Sequence, residues 1–140
     1  MIDLTSSFGR AVKQHLSDQY VIWLTTVDAD LVPQPRPVWF LWEEDSFLIF
    51  SQAKAHKIKH ILQNPRVALH FNTDETGDKH VIVFTGEAVI ERDHPSAHQV
   101  PAYFEKYKTG IAELKMTPEE FSREYSTAIK IRPTQMRGWE

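Results

Sequence analysis

Apolar residues recur every four positions at the start of the chain, at Leu4, Phe8, Val12 and Leu16. That spacing lines one face of a helix, and Thr5 or Ser6 is placed to cap it, so the first element is predicted to be an amphipathic helix. From Tyr20 the period changes. The segment "YVIWLTTV", Tyr20 to Val27, is dense in β-branched and aromatic residues, and Asp28-Ala29-Asp30 supplies turn chemistry before "VPQPRPVWFLW". A β-hairpin is expected there. Pro33, Pro35 and Pro37 have no N–H to give to a ladder, which assigns the start of the second strand to a sheet edge or to a ligand-facing position.

The alternation continues through the rest of the chain. Glu43-Glu44-Asp45 predicts a turn, "SFLIFS" a third strand, Lys54 to Gln63 a short helix stopped by Asn64-Pro65, and "RVALHF" a fourth strand. "HVIVFTGEAVIE" reads as a fifth strand whose interior Gly86 marks a bulge or a close backbone approach. Helical patterns cover His94 to Lys108 and Pro118 to Glu124, and "STAIKIRP" is a sixth strand leading into "TQMRGWE". The class is mainly β with α. Mostly antiparallel strands of this length close into a small barrel, and 140 residues without repeat, linker or low-complexity tract predict a single domain over 1–140.

Composition narrows the function classes. Lys plus Arg total 16 against 19 Asp plus Glu, and a formal charge of -3 gives no reason to expect a nucleic-acid binder. Cysteine is absent, which removes disulfides, thiolate zinc sites and cysteine nucleophiles together. The start "MIDLTSSFGRAVKQHL" lacks the pattern of an export signal, and no apolar run approaches the roughly 18 residues of a membrane helix. A soluble, cytoplasmic protein without a membrane partner is expected. The five glycines, at 9, 77, 86, 110 and 138, build neither a GxGxxG nor a GxxxxGK loop, so any phosphate must be held by side chains. His56 and His60 share a helix at a spacing of four, as do His94 and His98, but neither pair has an evident third ligand. Exposed helix histidines, and no metal, are the expectation.

Charge is concentrated in one place, "FSQAKAHKIKHILQNPRVALHF", Phe50 to Phe71. On a helical wheel Ile58, Ile61 and Leu62 form the buried face, His56 and His60 point away from it, and Lys57 lies at the flank. A lysine in the first turn of a helix that follows a strand ending at Ser51 can reach an anion that also meets the Ser51 hydroxyl and the free helix N–H groups. Charge pattern alone also allows Lys54, Lys57 and Lys59 to be solvated surface residues. In "PRPVWF" a cation, an N–H-deficient backbone and two aromatics can flank a flat heteroaromatic ligand. Trp39 and Phe40 point to opposite faces of a strand, so at least one belongs to the core.

These residues resemble a known family. "PRPVWFLWEEDSFLIFSQAKAHKIKHILQNPRVALHF", followed by "GEAVIE", is similar to the pyridoxamine 5'-phosphate oxidase-like split β-barrel superfamily, over about positions 20 to 92. The tail "VPAYFEKYKTGIAELKMTPEEFSREYSTAIKIRPTQMRGW" resembles the coenzyme F(420)-dependent branch of that superfamily, with its Pro-Ala-Tyr helix and closing Arg-Gly-Trp. The resemblance implies a six-stranded antiparallel split β-barrel of the FMN-binding type with peripheral helices, forming a homodimer with cofactor sites at the interface. Arg36, Pro37, Val38 and Trp39 would then lie along the isoalloxazine or deazaflavin ring, Phe50 and Ser51 near the ribityl chain and phosphate, and Lys57 on the phosphate. In the oxidases an arginine usually precedes this lysine; here it is His56, a weaker cation at neutral pH. Lys54 or Lys59 can compensate along the longer anionic tail of coenzyme F(420).

The oxidases also close with an arginine- and histidine-bearing segment that holds the substrate phosphate, whereas this chain ends "RPTQMRGWE". Vitamin B6 oxidation is therefore not the expected activity. The expectation is hydride transfer between coenzyme F(420), or FMN, and a small unsaturated or quinone-like molecule, with no side chain required as a catalytic group. The alternatives are an FMN-dependent flavin reductase and a non-catalytic flavin- or haem-binding module. The sequence leaves open whether Arg132, Arg137 and Trp139 reach the site.

Overall fold

The computed structural model describes residues 2–140. Ser6 caps the first helix, its hydroxyl accepting from the Gly9 N–H at 2.9 Å, and α1 (Ser7–Asp18) buries Val12 and Leu16. The hairpin follows as β1 (Val21–Val27) and β2 (Pro33–Trp39). Its turn is organised by Asp28, whose carboxylate accepts from the N–H groups of Asp30 and Val32 and from the Gln34 amide. These bonds, the one from Val32 foremost, hold the Asp28 carboxyl below its usual range.

The run "VPQPRPVWFLW", read from sequence as one strand, is two. It breaks at Phe40, and β3 (Leu41–Glu43) pairs instead with β4 (Ser46–Ser51), which raises the strand count from the expected six to seven. The strands form one antiparallel sheet in the order β2-β1-β5-β6-β7-β4-β3, completed by β5 (Arg66–His70), β6 (Val81–Glu91) and β7 (Thr127–Trp139). Strands β2 and β3 are thus opposite edges of the sheet, yet a single residue joins them. Laid flat, seven strands would hold those edges about 29 Å apart, whereas Trp39 and Leu41 lie within about 7 Å along the chain. The sheet must curl until its edges meet. This is a split barrel, and Phe40 is its seam.

Curling creates two apolar compartments. Inside lie Phe40, Phe47, Phe71 and Phe84 with Ile22, Leu24 and Ile129, all nearly inaccessible. Outside β4 a second cluster joins Leu48 and Phe50 to Tyr103, Tyr107, Ile111 and Phe121 of α3 (Pro101–Glu113) and α4 (Pro118–Glu124). Strand β4 is consequently buried on both faces, which explains why "SFLIFS" is an unbroken apolar run rather than an alternating one. The three prolines of β2 occupy the edge strand as expected, and being two residues apart they leave their missing N–H groups on one side of it.

Other elements shift from the sequence expectation. Helix α2 is His56–Gln63, two residues shorter at its start, and its inward stripe is Lys57, Ile58, His60 and Ile61. Leu62, expected inside, is 65% exposed. His60, expected outside, has its Nδ1 2.8 Å from the hydroxyl of buried Thr26. The helix packs on its lysine flank because a hydrogen-bonded pair with Thr26 turns that side toward β1. The helix expected over 94–108 begins at Pro101 after a single turn at Ala97–Gln99, and β7 continues through "TQMRGW" to pair Trp139 with Val81. The bulge foreseen at Gly86 is present as a register shift between Thr85 and Gly86 opposite Pro133.

Candidate functional site

Beside the seam a cleft of about 510 Å³ opens between the barrel and the α3–α4 cap. One wall is Pro37, Val38 and Trp39 at the end of β2, with Phe50 and Ser51 closing β4. Lys57, at the second position of α2, stands at the margin. The other wall comes from Tyr103 and Leu114 at the two ends of α3 and from Phe121 and Tyr125 around α4. The lining is mainly apolar and aromatic with few polar groups, the usual character of a small-molecule site.

Trp39 forms the floor by stacking. Its ring lies 4.6 Å from that of Tyr107 at 4° and 5.6 Å from that of Phe121 at 19°. Gly110 makes this possible, since a Cβ there would approach the Trp39 ring to 3.0 Å. The break at Phe40 leaves its backbone groups without ladder partners, and α3 supplies them. The Tyr107 hydroxyl accepts from the Phe40 N–H at 2.8 Å and has two carbonyls in reach of its proton, those of Tyr20 at 2.7 Å and Phe40 at 2.8 Å. Lys106 Nζ then donates to the Phe40 carbonyl at 2.8 Å and sits 3.8 Å from the centre of the Phe40 ring. Burial pulls the Lys106 ammonium down to about 8 and pushes the Tyr107 phenol up. One helical turn of α3 thus fastens the seam that frames the cleft.

Of the eight residues selected from sequence, Pro37, Val38, Trp39, Phe50, Ser51 and Lys57 line this one cleft, whereas Arg36 and His56 are exposed and do not. The Arg36 guanidinium donates to the Pro35 carbonyl at 2.7 Å but remains close enough to repel Lys57. The His56 ring is stacked on that of His60, 6.4 Å between centres. Ser51 is buried and donates its hydroxyl proton to the Gln52 carbonyl at 3.0 Å. Lys54 and Lys59 are exposed, as are Arg132, Arg137 and Trp139, which lie on β7 away from the cleft.

Lys57 is the unusual group. Half-buried, it makes no ion pair or hydrogen bond among the described residues. Loss of solvent, with a further push from Arg36, holds its ammonium below the ordinary lysine value. No side chain caps the first turn of α2, so the positive end of the helix lies beside it. An anion at this margin would relieve both.

The family model described as pyridoxamine 5'-phosphate oxidase matches residues 8–140. The pyridoxine/pyridoxamine 5'-phosphate oxidase 2 of Hydrogenovibrio crunogenus is 36% identical over 66 residues, which is 46% of this chain and 31% of that protein. The aligned segment thus spans less than a third of the curated relative. Among solved structures, a conserved hypothetical protein of Mycobacterium tuberculosis superposes with a TM-score of 0.77 at 18% identity, over 97% of this chain and 85% of that one. The haem storage protein HutZ of Vibrio cholerae gives 0.66 at 16% identity over 94% of each chain. An FAD-binding protein of Mesorhizobium loti gives 0.64 at 14% identity, over 91% and 88%. At these identities the structural likenesses speak for the fold, and the family model takes in every strand of it together with the cleft: the chain belongs to the pyridoxamine 5'-phosphate oxidase family.

Proposed function

We propose that the cleft binds a flavin-type cofactor and that the protein is an oxidoreductase using coenzyme F(420), with FMN as the cofactor alternative. The observation that carries this reading is Lys57, a half-buried cation without a partner at the mouth of an aromatic cleft. The residues fit the group in two respects. Pro37 to Trp39 and the aromatic floor offer a flat apolar slot, and the margin at Lys57 and the start of α2 offers positive charge for a phosphate. Bound there, the cofactor supplies hydride transfer to or from a small conjugated molecule. The chain's own part is to orient the ring against Trp39, to neutralise the anionic arm through Lys57 and to exclude water with the α3–α4 cap. The "RPTQMRGWE" tail of the same chain does not line the cleft.

Titration of the purified protein with FMN and with coenzyme F(420), followed by fluorescence, tests this. Lys57→Ala is expected to weaken the preferred cofactor about tenfold, the worth of one charge-assisted contact. Binding of neither cofactor, or binding indifferent to Lys57, would sink the assignment.

A homodimer is part of the same reading. Tyr20 and Val21, beside the cleft at the open end of the hairpin, are 60% and 39% exposed and offer apolar side chains to a second copy. Size-exclusion chromatography of the holoprotein should return twice the chain mass, and a monomeric holoprotein would argue against a shared site. The second reading, a haem- or flavin-binding module without turnover, draws on the likeness to HutZ. A Soret band on haem addition, with no cofactor oxidation by quinones, would favour it.

A further inference from the structure

The α3–α4 wall contains a polar group that the fold does not use. Tyr103 is 1% exposed, wedged edge-on against Phe50 at 4.8 Å and tilted against Tyr107 at 4.8 Å. Its neighbour one turn along, Tyr107, spends its hydroxyl on the seam. Among the described residues the Tyr103 hydroxyl has no protein partner, and no side-chain oxygen is both sealed from solvent and unpaired. What little surface Tyr103 retains is therefore at its oxygen, and the space it faces is the cleft it lines. A buried hydroxyl of this kind is costly unless something accepts its proton.

We infer that Tyr103 is a ligand-recognition residue whose hydroxyl donates a hydrogen bond to a conjugated carbonyl oxygen held flat in the cleft. Resting on the proposed function, this narrows the ligand to planar molecules with a ring carbonyl, such as a quinone, an enone or the carbonyl edge of a flavin-type ring. With no acceptor among the described residues, the hydroxyl proton is free to be donated. Burial, with Tyr107 and Tyr125 nearby, pushes the Tyr103 phenol well above its ordinary value, so it keeps its proton across the physiological range. The surrounding aromatic rings, with Phe121 and Tyr125 stacked at 4.6 Å on the same wall, match a planar partner. Of the other hydroxyls that line the cleft, Ser51 already donates to Gln52 and Tyr125 is only half-buried, open to water where Tyr103 is enclosed.

The test pairs Tyr103→Phe, which keeps every ring contact, with two probes of nearly equal shape. Menadione presents ring carbonyls and 2-methylnaphthalene presents none. Tyr103→Phe is expected to weaken menadione about fivefold and to leave 2-methylnaphthalene unchanged. The infrared carbonyl stretch of bound menadione should lie lower in the wild type than in the variant. FMN provides the other arm: weakened FMN binding with an equivalent shift of its own carbonyl stretch, and menadione unaffected, assigns the oxygen to the cofactor. Equal loss for both naphthalene probes, or no carbonyl shift with either menadione or FMN, overturns the inference. Selective menadione binding that survives while neither FMN nor coenzyme F(420) binds leaves Tyr103 in its role and removes the cofactor reading.

Discussion

Gly86→Ala is expected to lower the thermal midpoint by about 10 °C, a large effect for a single added methyl group. A Cβ at Gly86 would lie 2.5 Å from the Arg132 carbonyl oxygen and 3.0 Å from the Pro133 Cα, both backbone atoms that cannot swing aside. The position is buried and enclosed on both flanks, by Val67 of β5 and Pro133 of β7. Relief requires the β6–β7 ladder to part at the bulge, where Thr134 Oγ1 donates to the Thr85 carbonyl. Overpacking costs about 1–3 kcal/mol, and fixed backbone on both sides puts this position at the top of that range; about 3–4 °C per kcal/mol is typical for a chain of this size. Calorimetry checks it, and a midpoint within 2 °C of the wild type would show that the bulge absorbs the methyl group.

Tyr107→Phe should destabilise the protein by about 2–3 kcal/mol, through the loss of one oxygen atom. That oxygen serves both the Phe40 N–H and the Tyr20 carbonyl, so its removal leaves the buried Phe40 N–H unsatisfied and takes a partner from the part-buried Tyr20 carbonyl. The Phe40 carbonyl is spared because Lys106 continues to donate to it. Urea unfolding should show an earlier midpoint with an unchanged slope. A loss below about 0.5 kcal/mol would mean that water replaces the hydroxyl.

The sequence made most elements legible because period and punctuation agree there. The prolines of β2 announce an edge strand, Gly86 announces the bulge, and the unbroken "SFLIFS" belongs to a strand covered on both faces. What stayed hidden was the bend at Phe40. An apolar residue in the middle of "PVWFLW" carries no turn signal, since its backbone is satisfied by side chains 66 and 67 residues away. The end of β7 was obscured for a related reason: "TQMRGW" has little strand propensity of its own and is ordered by its ladder with β6. On α2 the wheel was turned because His60 is drawn inward by Thr26, a pairing that periodicity cannot register.

The candidate site was half legible. Its barrel side, from Pro37 to Lys57, lies within one stretch of chain and combines proline, tryptophan and lysine in a chemically suggestive way. Its helical side did not signal itself. Tyr103 and Tyr107, four apart, and Phe121 and Tyr125, four apart again, read as ordinary helix-packing stripes. Only the folded arrangement separates Tyr107, which is occupied by the backbone, from Tyr103, which is not.

The one-residue seam also bears on how the molecule breathes. The cleft takes Pro37 to Trp39 from one edge of the curled sheet and Phe50 and Ser51 from strand β4, next to the other edge, so any ligand lying across it touches both lips of the closure. As an edge strand held to the sheet through β1 alone, β2 makes this margin the natural place for sub-global opening. Ligand occupancy and barrel closure are then the same equilibrium seen from two sides. A bound molecule acts as a clasp, slowing amide exchange along β1 and β2 before it changes anything in the interior behind them.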